Sequence, residues 1–290
     1  MMSDYKIIDF RGRFSKSYMN WYLKNKDKVS KLDQDKQDDL YYSMYGKWLE
    51  EPKDWLDGNS PANYFRSFTD DRYLLSALID YIKEGIEIPE FLTDEIVERG
   101  DSLYPILLNL IYTDKEEDLT PQQFEQLLSE SMILISRMGK EQPFVRYIQL
   151  LSSVKEESEL GETLAELIRE DAEEYRDQII AVYSTSEQYG RMAFLDILSS
   201  LGKNDDTFDL IKEELEGESP DLVFLCGCIN KTQDERFIDV LESILKNGET
   251  DYFSFKEISN TIEELGGNAL DEKDFSGDAL YDYLKEHDEI

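Results

Sequence analysis

Carboxylates dominate the reactive side chains of this 290-residue chain: 65 Asp and Glu stand against 31 Lys and Arg, one His and two Cys. A single histidine excludes most imidazole-based catalysis and His-rich metal sites. A di-iron carboxylate bundle wants a Glu-x-x-His motif from each of two helices, which one histidine cannot supply. His287 lies seven residues after Leu280, on a stripe with Tyr283 and Leu284, and reads as a packing residue of a terminal helix. No Gly-x-x-x-x-Gly-Lys-Ser/Thr phosphate loop and no Gly-x-Ser-x-Gly nucleophile elbow occurs.

Cys226-Gly-Cys228 is spaced too tightly for the usual zinc pair and lacks two further ligands. Cys226 falls on an apolar stripe with Leu222, Leu225 and Ile229, so it reads as a small buried hydrophobe. A calcium loop can be tried with Gly277 at its sixth position. Glu272, Asp274, Ser276 and Asp278 then take ligand positions, but the twelfth is Tyr283, where a bidentate Glu is required. Paired carboxylates for acid–base work are not singled out by spacing. Acidic runs such as residues 169–174 cross helix ends, where the dipole favours them. The residues therefore predict no catalytic group, no cofactor and no metal.

Charge is unevenly placed. Residues 1–36 hold nine Lys and Arg against five Asp and Glu, a net of +4, whereas the whole chain carries −34. Residues 61–290 account for all of that deficit. Such a field repels nucleic acid and anionic lipid and attracts cationic surfaces. No apolar run is long enough for a membrane span. The start, MMSDYKIIDFRGRF, lacks the apolar stretch of a signal peptide. With only two cysteines, a cytoplasmic setting is expected.

The elements that carry these residues divide in two. Residues 1–70 hold every tryptophan (Trp21, Trp48, Trp55) among Tyr18, Tyr22, Tyr41, Tyr42, Tyr45, Tyr64 and Phe65. Helices are predicted at 14–26 and 36–50, a short strand at Lys6–Phe10, and a helix start at Ser60-Pro61. This segment is expected to form an aromatic helical subdomain. Its exposed rings, among Trp21, Trp48, Trp55, Tyr41, Tyr42 and Tyr45, are candidate anchors for a partner.

From residue 71 to 290 the apolar residues recur at i, i+3, i+4, i+7, the period of a helix. Leu103/Ile106/Leu107/Leu110, Phe144/Tyr147/Ile148/Leu151, Leu160/Leu164/Leu167/Ile168 and Phe194/Ile197/Leu198/Leu201 follow it. Gly100, Gly139, Gly202, Gly248 and Gly266-Gly267 read as helix stops, and Thr120-Pro121 and Ser219-Pro220 as starts. Met138-Gly139, Leu201-Gly202 and Leu265-Gly266 lie 63 and 64 residues apart, two units of roughly 32. Phe144, Phe208 and Phe237 each open a short helix of similar form.

In period and helix pattern the chain resembles the HEAT/armadillo-like repeat superfamily over about residues 71–290. That resemblance implies an all-α superhelix of stacked hairpins, a curved protein-binding scaffold with no catalytic residues. The expected function is a non-catalytic scaffold or adaptor whose acidic concave face takes a basic segment of another protein, with Glu170, Asp171, Glu173 and Glu174 as candidate contacts. The alternatives are a nucleic-acid mimic that occupies a DNA-binding protein and, third, a carboxylate-dependent hydrolase. No affinity for nucleic acid or membrane is expected.

Overall fold

A computed structural model of the chain describes residues 5–115, 118–247, 250–268 and 273–287. Gly248 and Glu272, read above as a helix stop and a trial calcium ligand, lie outside the described residues. The fold is all-α: among the described residues there are fifteen α-helices, three short 3-10 turns and no strand. The helices pack against their neighbours in two compact units, residues 1–143 and 144–290.

The first unit holds α1 (Phe10–Val29), α2 (Gln34–Glu50), α3 (Arg72–Glu84), α4 (Glu90–Glu98), α5 (Gly100–Ile111) and α6 (Pro121–Arg137). Three 3-10 turns between Asp54 and Ser67 link α2 to α3. Phe14 of α1 is the centre of the aromatic core, with Tyr41, Tyr45 and Trp48 of α2 at 5.2, 4.8 and 5.7 Å between ring centroids. Phe10 carries that core onward to Phe65 and to Phe91 of α4. The aromatic segment thus packs on α3 and α4 within one unit that extends to residue 143. Arg99 ties the same elements with polar contacts. It bonds Glu95 (2.7 Å), Asp71 (2.8 Å) and the carbonyl of Phe68 (2.6 Å).

The predicted strand at Lys6–Phe10 is corrected in an informative way. Phe10 begins α1, its N–H donates to the Ile8 carbonyl two residues back at 2.9 Å, and residues 6–9 form no strand. The Lys6 N–H donates to the Tyr64 hydroxyl, which donates back to the Lys6 carbonyl, each at 3.1 Å. Ile8 does the same with Tyr81, at 3.3 and 2.9 Å. Two phenols thus satisfy the backbone groups of Lys6 and Ile8 that a neighbouring strand would otherwise take. Ser60-Pro61 opens only a 3-10 turn, and Gly100 begins α5 instead of ending a helix. Gly100 is buried against Met138, where a methyl group would lie 3.1 Å from the Met138 side chain.

The second unit holds α7 (Phe144–Ser152), α8 (Glu159–Glu170), α9 (Arg176–Tyr183), α10 (Gln188–Ser200), α11 (Asp205–Leu215), α12 (Leu222–Thr232), α13 (Phe237–Asn247), α14 (Tyr252–Glu264) and α15 (Ala279–Glu286). Its even-numbered helices contact one another in succession, α8 to α10 to α12 to α14, while α7, α11 and α13 pack alongside. Helix ends are well specified. Ser158, Asn204, Asp221 and Asp251 cap α8, α11, α12 and α14 with side-chain oxygens, and Gly202 and Gly266 close α10 and α14 at φ 84° and 88°. The α12 start therefore falls at Asp221, just past Ser219-Pro220.

Candidate functional site

The candidate site lies in the second unit, on the row formed by α8, α10 and α12. Two contacts fix how α8 and α10 run. Near their starts, Gly161 meets the ring of Tyr189; toward their ends, Arg169 bonds Asp196 at 3.0 Å. The two helices are therefore parallel. Their start-to-start seam is close. A methyl group at Gly161 would lie 2.5 Å from Tyr189 Cε1, and one at Gly190 would lie 2.4 Å from the Leu151 carbonyl oxygen. The Gly190 N–H donates to the Val154 carbonyl and the Glu187 N–H to that of Ser152, which pins α10 to the α7–α8 loop.

Parallel packing aligns a stripe of α8 (Glu162, Ala165, Glu166, Arg169) with a stripe of α10 (Tyr189, Met192, Ala193, Asp196). Between them runs a groove of about 660 Å³, which Glu157 and Phe224 complete. Its floor is apolar, made by Ala165, Met192, Ala193 and Phe224. One end carries a net positive charge, because the single carboxylate of Asp196 takes both Arg169 and Lys231. The α8 rim is acidic. Glu157, Glu162 and Glu166 are all exposed and make no ion pair or side-chain hydrogen bond among the described residues. Burial, followed by the charges of Glu162 and Glu157, pushes the Tyr189 phenol above its ordinary range.

Across Met192 and Phe224 the groove adjoins a second cavity of about 290 Å³ between α10 and α12. Leu195 and Leu225 form its apolar wall. Its polar lining includes Tyr183, which donates to Glu214 at 2.9 Å, Arg191, whose Nε stands 3.6 Å from the same carboxylate, and the further carboxylates Glu218 and Asp221. The surroundings carry strong field: residues 144–290 hold 13 Lys and Arg against 37 Asp and Glu, a net of −24.

The predicted contact residues are placed as follows. Glu170, Asp171, Glu173 and Glu174 are exposed at the end of α8 and in the turn after it, outside the lining of the groove. Glu173 pairs with Arg176 at 2.6 Å. In the first unit Trp48 is buried, and Trp21, Tyr41 and Tyr45 are half-buried in the aromatic core. Trp48 is therefore a core residue and is not available as an anchor. Tyr42 stands 69% exposed and Trp55 36%, with the guanidinium of Arg13 4.3 Å above the Trp55 ring. Sequence reasoning missed Glu157, Glu162, Glu166, Tyr189 and Met192. The signal that points to them is the face of α8 and α10 left over once the core stripes are assigned.

The two thiols are inert packing groups. Burial pushes Cys226 up to about 11 and Cys228 up to about 12, while weak bonds toward Thr261 and Ser199 act the other way. Among the described residues no three His, Cys, Asp or Glu side chains are grouped to hold a metal ion, and no helix is long and apolar enough to cross a membrane. No family model, no curated protein and no solved structure matches this chain.

Proposed function

We propose that the protein is a non-catalytic scaffold or adaptor, and that the groove along α8 and α10 takes a basic segment of a partner protein. The observation that carries this reading is the acidic rim. Three carboxylates without a described partner flank an apolar floor, in a unit whose other cations are largely occupied by its own acids. Lys or Arg side chains entering there gain charge partners without breaking existing pairs. The succession α8, α10, α12, α14, with α8 and α10 parallel, supports reading this unit as a HEAT-like solenoid, in which one helix of each pair faces a ligand.

The same observations weigh against the alternatives. A nucleic-acid mimic needs surface acid in place of phosphates, and an apolar floor has no counterpart in a phosphate backbone. A carboxylate hydrolase needs an acid held above its ordinary range. Among the described residues, Asp70, Asp71 and Asp101 are displaced downward, by hydrogen bonds from Arg72, from Ser102 with Arg99, and from Lys140.

Fluorescence anisotropy with a labelled Lys/Arg-rich peptide tests the reading. Glu162→Gln with Glu166→Gln is expected to weaken binding about tenfold, in the range of lost charge-assisted contacts. Glu170→Gln with Glu174→Gln removes the same charge outside the groove and serves as control. Equal losses in the two double variants would reduce the interaction to unspecific attraction by a −34 protein.

A further inference from the structure

In the first unit, Arg11, Lys36, Lys53, Arg66 and Arg72 are each held by a carboxylate. Five lysines on and just after α1 are not. Lys16, Lys24, Lys26, Lys28 and Lys31 are exposed and make no ion pair or side-chain hydrogen bond among the described residues. Residues 16–31 hold these five Lys and one Asp, Asp27, a net of +4 in a chain of net −34. Of the acids that follow, Asp33 is taken by Lys36 and Asp38 by Gln34, and neither Asp35 nor Asp39 pairs with any of the five. The same helix leaves two large apolar side chains in solvent, Met19 at 53% exposure and Leu23 at 64%.

We infer that the outer face of α1 is a second docking surface, and that its occupant is an acidic amphipathic helix of a partner protein. Phe10, Phe14 and Val29 mark the buried side of α1. Lys16, Met19, Leu23 and Lys26 form a stripe away from it, with steps of three, four and three residues. Those steps are the spacing of a coiled-coil seam. This surface has the opposite polarity to the groove on α8 and does not depend on it.

The stripe describes its partner. Two apolar residues at the centre call for two apolar residues opposite, and a lysine at each end calls for Glu or Asp beside them. Lys24, Lys28 and Lys31 add to the local field that favours an acidic segment over a basic one. The steps read the same in both directions, so a partner helix fits parallel or antiparallel. From Lys16 to Lys26 the seam is about 15 Å long at about 1.5 Å per residue. So short a contact belongs with the small, transient interfaces. Nucleic acid fits less well, because a phosphate backbone offers nothing to cover Met19 and Leu23.

The test uses the full chain and labelled helical peptides, compared by fluorescence anisotropy at physiological salt, where charge is screened beyond about 8 Å. The probe EAQAEAQLAQALAQEAQAE sets Glu and Leu on one stripe. EAQAEAQSAQASAQEAQAE lacks the leucines, and QAQAQAQLAQALAQQAQAQ lacks the acids. The first is expected to bind about tenfold more tightly than either of the others. Met19→Ser with Leu23→Ser should abolish its advantage over the serine peptide, and Lys16→Gln with Lys26→Gln its advantage over the acid-free one. Lys115→Gln with Lys155→Gln removes two exposed lysines outside α1 and should change nothing. Equal binding of the first two peptides, or α1 variants that bind the first as the parent does, overturns the inference. A labelled DNA duplex held more tightly than any peptide overturns it in favour of nucleic acid. Where an α1 variant loses its helical circular dichroism, benzoyl-phenylalanine in place of one peptide leucine decides the matter. Crosslinks to α1 support the surface, and crosslinks confined to other segments overturn it.

Discussion

Two glycines decide whether the groove exists. Gly161 and Gly190 sit in the first turns of α8 and α10, where a side chain would strike Tyr189 and the Leu151 carbonyl. The obstacles differ in kind. Tyr189 presents the edge of a ring that can turn aside, whereas the Leu151 oxygen belongs to the backbone that anchors α10. Gly190→Ala should therefore destabilise by about 3 kcal/mol and Gly161→Ala by about 1 kcal/mol, the two ends of the range for overpacked sites. Urea unfolding followed by circular dichroism would rank them, and the reverse order would mean that the seam yields at its backbone.

Tyrosines set the alkaline limit of stability. Burial raises Tyr81, against the hydrogen bond from Ile8, and raises Tyr183, with Glu214 adding to it. A phenol raised in the folded state leaves stability intact below its unfolded value of about 10, and stability is lost as pH climbs beyond that value. Unfolding free energy should be flat from neutral pH to about pH 9 and fall above about pH 10. Tyr81→Phe should flatten that fall while lowering stability at neutral pH, because Ile8 loses its only described side-chain partner. A decline of equal slope in the variant would assign the alkaline limit to other groups.

Among elements, most helices of the second unit were legible because they bury a stripe of period 3.6, whereas α15 buries none and its Leu280, Tyr283 and His287 stripe is exposed. Phe144, Tyr147, Ile148 and Leu151 of α7 are all buried, as are Leu160, Leu164, Leu167 and Ile168 of α8. The α6 cap was legible for the same reason that it works, since Thr120 supplies an oxygen to a free helix N–H group. Thr120 and Gln123 form a reciprocal capping box, and Gln123 also reaches the Lys83 carbonyl at 3.0 Å. Thr120→Ala should cost about 1 kcal/mol. Thermal unfolding measures it, and a silent substitution would show that the Gln123 contact to α3 holds α6 in place alone.

What stayed illegible at this scale has physical causes. The Lys6–Phe10 segment has a strand-like sequence, but its backbone partners are side chains from residues 64 and 81, which no local pattern reveals. Gly100 resembles a helix stop until Met138 is known to lie against it. The aromatic residues of the first 70 positions were legible as a cluster, yet which rings face solvent depends on how α1 and α2 cross at Phe14. The groove depends on the register of α8 against α10, a tertiary property carried by close contacts at glycine.

For the molecule as a whole, charge governs rates more than lifetimes of complexes. The net charge of −34 extends far beyond any one contact, but it is screened within about 8 Å at physiological salt. Neutralising Glu170, Asp171, Glu173 and Glu174 together should slow association with a basic peptide and flatten its salt dependence, and leave dissociation nearly unchanged. Stopped-flow binding at two ionic strengths separates the two. A clear rise in dissociation rate would place this exposed turn in the contact itself.

The phenols that clasp Lys6 and Ile8 have a consequence for how copies of the chain behave toward one another. In extended backbone, residues two apart present their donors and acceptors along the same edge. An open edge of that kind is a template on which a second chain can lay a strand. Tyr64 and Tyr81 answer both the N–H and the C=O of Lys6 and Ile8, which keeps these groups from a second chain. Removing both hydroxyls, with Tyr64→Phe and Tyr81→Phe, leaves the rings in the aromatic core and opens the edge. Self-association that grows with concentration, read by analytical ultracentrifugation, is the expected outcome, and a double variant that stays monomeric would show that the edge is protected by its surroundings.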